Sequence, residues 1–138
     1  MNLISIILPY YKKKVFIEKT INSVLSQTYS NYELILVYDD NDKKDLIYIK
    51  KIINKNSKIK IIVNTKNLGV AKSRNIGVLK SSGDYICFID ADDLWEKNKL
   101  KIQLEFMKKN QCYISHTNYK IINDKGNIIG LMKTKDIL

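Results

Sequence analysis

The chain has 138 residues, enough for one domain with a real core, and 45% of them are hydrophobic, which excludes a disordered tail. No apolar run approaches the roughly 18 residues that would cross a bilayer. The net charge is +10, and every basic residue except Arg74 is a lysine; scattered through nearly every segment, they favour anions in general and pick no partner among nucleotide diphosphates, anionic lipid and nucleic acid.

Residues 3–8 form a short apolar run that predicts a buried strand stopped by Pro9. Over residues 15–27, Ile17, Ile21, Val24 and Leu25 recur at helical spacing and predict one apolar helix face. Residues 32–38 predict a second strand, ending at Asp39-Asp40-Asn41-Asp42, and Leu46, Ile49 and Ile53 mark a second helix. Residues 58–63 predict a third strand closed by Asn64, and residues 71–79 a third helix ended by Ser81-Ser82-Gly83. A fourth strand over residues 85–89 precedes a fourth helix from about Glu96 to Asn110 carrying Leu100, Leu104 and Met107. This βαβαβαβα order with short connections argues for an α/β fold, a mostly parallel sheet with helices on both faces. Beyond Gln111 the pattern changes. Residues 113–117 and 119–122 read as strands, Asn123 to Asn127 as a hairpin turn, and residues 128–131 as the returning strand.

The fourth strand ends in Asp90-Ala91-Asp92-Asp93. Acids at a helix start are ordinary, which accounts for Asp92 and Asp93 but not for Asp90. Three carboxylates in four residues repel one another unless a cation sits among them, and hard ions such as Mg²⁺ take carboxylate, water and phosphate oxygens. Two further strand ends share that edge of a parallel sheet, Pro9-Tyr10-Tyr11 and Asp39-Asp40, and such ends converge on one crevice. Tyr10 or Tyr11 offers an aromatic face to a base. The Asp39 carboxylate can accept from an imide or from ribose hydroxyls, and both aspartates also suit a turn or a helix cap. Asn67-Leu68-Gly69 opens the third helix, whose free amides favour anions. Arg74 offers the chain's single guanidinium fork either to phosphate or to a strand-four acid, and the two roles are compatible.

Other chemistries are excluded. There is no Gly-x-Gly-x-x-Gly after the first strand, no P-loop and no Ser nucleophile elbow. Cys87, Cys112 and His116 are too few for a zinc site, and His116 reads as structural. Neither cysteine implies a disulfide framework, and the start of the chain shows no signal-peptide pattern, so the expected location is the reducing cytosol.

These residues resemble the family 2 glycosyltransferases of GT-A fold over roughly residues 3–119. The resemblance runs through Ser5-Ile6-Ile7-Leu8-Pro9-Tyr10-Tyr11, residues 21–29 with their Ser26-Gln27-Thr28, Tyr32-Glu33-Leu34-Ile35 leading to Asp39-Asp40, Asn67-Leu68-Gly69 with Arg74, and Gly83-Asp84-Tyr85-Ile86 leading to Asp90-Ala91-Asp92-Asp93. It implies sugar transfer from a UDP- or GDP-linked donor to a glycan or lipid-linked acceptor, with Mn²⁺ or Mg²⁺, in assembly of cell-surface polysaccharide. By position, residues 9–11 and Asp39 would hold the nucleoside, Asp90 the ribose or donor sugar, and Asp92 the metal, with Asp90 and Asp93 beside it. Here Asp39-Asp40-Asn41-Asp42 replaces the family's usual Asp-Asp-Gly-Ser, so whether Asp39 or Asp40 meets the base stays open. The 138 residues read as a single donor-binding domain lacking the acceptor part. No general base is identifiable, since Asp124 falls in a turn and Asp136 in the tail. A module that binds nucleotide sugar without turnover is the alternative, and a basic nucleic-acid-binding module is disfavoured because it has no use for the acids. Peripheral contact with the inner membrane is compatible with the charge, although no amphipathic anchor is evident. The sequence does not fix the oligomeric state.

Overall fold

Two runs of seven residues are buried at every position, as strands covered on both faces of a parallel sheet must be. They are β1 (Ile4–Tyr10) and β2 (Tyr32–Tyr38) in a computed structural model that describes residues 2–133. The chain divides after Lys99 into two units. In the first, α1 (Lys14–Leu25) joins β1 to β2, and α2 (Lys43–Ile53) leads on to β3 (Ile59–Val63). Then α3 (Val70–Leu79) returns the chain to β4 (Tyr85–Phe88). These strands pair in parallel in the order β3-β2-β1-β4.

Alternation along the strands separates two cores. Ile7, Ile35 and Val37 pack with Ile62, Ile76 and Val78, so α3 covers one face. The other face carries Tyr10 and Tyr38, register partners whose rings stack at 5.1 Å, with the Tyr10 hydroxyl reaching Asp45 of α2 at 2.7 Å. Helices therefore flank the sheet on both sides. The approach of α3 is close because Gly77 has no side chain: a Cβ there would fall inside contact distance of Ile7 Cγ2.

Pro9 does not stop β1, which runs on to Tyr10. The reason lies in which neighbour each residue faces. Ile4 donates to Asn31 and Tyr10 accepts from Asp39, both on the β2 side, whereas Ile7 accepts from Ile89 on the β4 side. Pro9 shares the orientation of Ile7, so its missing N–H ends the ladder with β4 and leaves the ladder with β2 intact.

The second unit begins at Leu100, inside α4 (Lys99–Asn110), and holds an antiparallel hairpin of β5 (Tyr119–Ile122) and β6 (Ile128–Met132). Asn123 builds its turn, accepting from Lys125 and Asn127 through the side chain, while Gly126 takes a φ of 83°. The strand expected over residues 113–117 does not form. Tyr113 and Ile114 are almost wholly exposed, and among the described residues no strand pairs with this segment.

Candidate functional site

From β1 the chain steps outward through β2 to β3 and then returns to β4 on the far side of β1. The reversal between β1 and β4 is the place where open α/β sheets take ligands, beyond the carboxyl ends of the strands. A cavity of about 450 Å³ lies there, walled by Pro9, Tyr10, Tyr11 and Asp39, by Asn67, and by Asp90, Ala91 and Asp92. Lys13, Gly69 and Val70 complete the wall. Three of the expected site residues, Asp40, Arg74 and Asp93, are not part of it.

The two tyrosines differ sharply. Tyr10 is fully buried against Tyr38, and burial followed by the neighbouring Asp45 raises its hydroxyl well above the ordinary tyrosine range. Its ring has no face left for a base. Tyr11 is 47% exposed, with Lys12 Nζ 5.2 Å from its ring centre.

The two aspartates after β2 also divide. Asp39 is buried and organises the loop into α3: Oδ1 accepts from Asn64 Nδ2 at 2.7 Å and Leu68 N at 2.8 Å, and Oδ2 from Gly69 N at 2.8 Å. Its carbonyl accepts from Asn67 Nδ2. A carboxylate has about four acceptor positions, so one on Oδ2 remains for a ligand. Asp40 instead ties two turns together, accepting from Lys12 N, Asn41 N and Asp42 N. Lys12 stands at a φ of 50°, and Asp40 holds it there.

At the end of β4 the carboxylates take different partners. Asp90 pairs with Arg74 at 2.5 Å, and the guanidinium lies 5.8 Å from the Phe88 ring. Asp92 pairs with Lys13 Nζ at 2.6 Å. Asp93 donates its backbone N–H to the Asp90 carbonyl, and desolvation followed by repulsion from Asp90 and Asp92 raises its carboxyl above the usual range. Among the described residues no three His, Cys, Asp or Glu side chains stand together as a cage. Asp90 and Asp92 do share the cavity wall, and two carboxylates completed by water and phosphate are a donor set that suits Mg²⁺ or a similar hard ion. Asp124 lies in the hairpin turn of the second unit, and Asp136 lies outside the described residues.

The segment from Ala91 to Asn98 is clamped onto α1 and the turn that follows it. Buried Thr20 donates to the Ala91 carbonyl at 3.0 Å, Trp95 N donates to Ser23 Oγ, and Gln27 Nε2 donates to the Glu96 carbonyl. Thr28 N donates to the Lys97 carbonyl, and its hydroxyl to Asn98 Oδ1. Ser23, Gln27 and Thr28, all within the segment 21–29 that carries the family resemblance, thus hold residues 95–98, while Thr20, just outside it, holds Ala91 between the cavity acids.

The family model of glycosyl transferase family 2 matches residues 5–136. The chain belongs to that family. This glycosyl transferase family 2 chain is 42% identical over 134 residues to an uncharacterized glycosyltransferase of Haemophilus influenzae, covering 97% of itself and 54% of that protein. It is 40% identical over 128 residues to UDP-Glc:alpha-D-GlcNAc-diphosphoundecaprenol beta-1,3-glucosyltransferase WfgD of Escherichia coli, covering 93% of itself and 49% of WfgD. Among solved structures it resembles TarS of S. aureus in complex with UDP, with a TM-score of 0.70 and 26% identity, over 80% of this chain and 33% of that one. The chain spans about half the length of these curated relatives. The fold is therefore that of GT-A glycosyltransferases.

Sequence reasoning on this family 2 chain gave Lys13 and Val70 no role in the wall, and marked Gly69 as the anion-favouring opening of the third helix. Lys13 is one of many lysines and carries no pattern of its own. Gly69 had a detectable signal, a glycine directly before a helix, and its φ of 85° explains why glycine stands there.

Proposed function

We propose that this chain is the donor-binding part of a glycosyltransferase that takes a sugar from a nucleoside-diphosphate donor, UDP-linked in preference to GDP-linked, and passes it to a glycan or lipid-linked acceptor in cell-surface polysaccharide assembly. The observation that carries the reading is the convergence of Tyr11, Asp39, Asn67, Asp90 and Asp92 on one cavity at the β1/β4 reversal. Tyr11 presents an exposed ring to the base, and the remaining position on Asp39 Oδ2 accepts an imide or ribose proton. The start of α3, opened by Gly69, turns free amides toward negative charge. Asp90 and Asp92 would hold Mn²⁺ or Mg²⁺, with Asp93 behind them. Such an ion, when bound, stabilises the leaving diphosphate as a Lewis acid. Relatives support the donor class: WfgD is named as taking UDP-Glc, and TarS was solved with UDP.

Inverting transfer requires a base for the acceptor hydroxyl. The acids on the cavity wall are already engaged, since Asp39 holds the loop, Asp90 pairs with Arg74 and Asp92 pairs with Lys13. That supports a second reading, a module that binds the donor and leaves turnover to a further polypeptide. No helix among the described residues is long and apolar enough to cross a membrane. We place the chain in the cytoplasm, with peripheral contact at the membrane face through its lysines and no role for nucleic acid.

The test is calorimetric titration of the chain with UDP and GDP, with and without Mn²⁺. UDP should bind in a metal-dependent way. Equal, metal-independent and salt-sensitive binding of any polyanion, oligonucleotides included, would reject the reading. Release of UDP from UDP-sugars in the presence of acceptor separates the enzyme from the module.

A further inference from the structure

We propose that Lys13 is a donor-side positioning residue that competes with the divalent cation for Asp92 and transfers its charge to the donor's diphosphate. The inference rests on the reading above. Lys13 caps the start of α1, and its carbonyl accepts from Phe16 N and Ile17 N, so its backbone is fixed. Its side chain is 43% exposed and meets Asp92 Oδ2 at 2.6 Å, both residues belonging to the cavity wall. Asp92 is the carboxylate that by position would be the chief metal ligand, and Oδ2 cannot give the same lone pair to an ammonium and to a cation. The partner acid differs: Asp90 is held by Arg74, a planar guanidinium whose Nε is buried and which also lies against Phe88, whereas Lys13 is a flexible point charge. Of the two cations, Lys13 is the one built to let go. Once released it remains on the cavity wall, where the diphosphate of a nucleotide in contact with Tyr11 and Asp39 would end, and an ammonium is a good partner for phosphate oxygens.

The test uses Lys13→Met and Lys13→Arg in the full chain, with calorimetry of Mn²⁺ alone, of UDP at saturating Mn²⁺, and of uridine. Lys13→Met should bind Mn²⁺ alone about two- to fivefold more tightly, the range an exposed ion pair can withhold. The same variant should bind UDP about tenfold more weakly, as expected when one charge-assisted contact is lost, and uridine unchanged. Lys13→Arg should keep UDP affinity within a few fold of the parent. A merely structural pair would not move the two affinities in opposite directions. Unchanged or weaker Mn²⁺ binding in Lys13→Met, or unchanged UDP binding, overturns the proposal. If the parent chain itself shows no metal-dependent UDP binding, the functional reading fails instead, so the two failures are distinguishable. Lys13→Arg guards against a folding defect in Lys13→Met, because an equal loss of UDP and uridine binding in both variants also counts against a role at the diphosphate.

Discussion

Asp39 accepts the backbone N–H of Gly69 at 2.8 Å across thirty positions of sequence, so one carboxylate at the end of β2 sets the entry into α3. The cavity owes its shape to that contact, because Gly69 and Val70 form part of the wall.

Asp39→Asn should therefore reduce stability as well as binding. The amide puts a donor where Leu68 N, Gly69 N and Asn64 Nδ2 already donate, and at least one is left unsatisfied in a buried place. A loss of about 2–3 kcal/mol is expected, measured as a shift of the urea midpoint at constant slope. A midpoint within about 0.5 kcal/mol of the parent would mean that the loop does not depend on this carboxylate.

Thr20→Val keeps shape and removes the donor to the Ala91 carbonyl. The expected outcome is a destabilisation of about 1–3 kcal/mol together with weaker UDP binding, since Ala91 lies between the two cavity acids. Should UDP affinity stay the same while stability falls, the clamp supports the fold but does not position the site.

Gly77→Ala tests the packing of α3 on β1. The added methyl meets Ile7 Cγ2 in a core with no slack, and overpacking of this kind costs about 1–3 kcal/mol. On an exposed helix position the same change would stabilise by up to about 1 kcal/mol, so the sign of the measured shift decides.

How far the sequence was legible varies by element. β1 and β2 announce themselves as continuous apolar runs because both faces are buried. The cavity edge was legible too, since parallel strands must deliver residues 9–11, 39–40 and 90–93 to one side. Less visible was which member of each pair faces the cavity. Tyr10 falls in step with Ile6 and Leu8 and turns into the core, a parity obscured by reading Pro9 as a stop. Asp39 and Asp40 separate only through the loops they hold, and those loops come from distant parts of the chain. Residues 113–117 look like a strand by composition, but a strand also needs a partner.

Glu33 gives a pH dependence. Burial works against its charged form, yet Lys60, Ser5 and the Ser82 amide together hold its carboxyl below the ordinary 4.5. A lowered acid pKa stabilises the folded state above the unfolded value, and the contribution is lost as pH falls through the folded value. Glu33→Gln should thus be less stable than the parent at pH 7, with the gap narrowing below about pH 4.5. Denaturant melts of both proteins between pH 3 and pH 7 check this, and a gap independent of pH would show that the charge of Glu33 is not what matters.

The most direct measurement is calorimetry of UDP binding to the parent and to Asp92→Ala, each with and without Mn²⁺. The parent should gain affinity with Mn²⁺, and Asp92→Ala should lose that gain while keeping the metal-free affinity within a few fold. An undiminished Mn²⁺ effect in Asp92→Ala would contradict the assignment of the cavity-edge carboxylate to the metal and with it the donor-binding mode proposed for this chain.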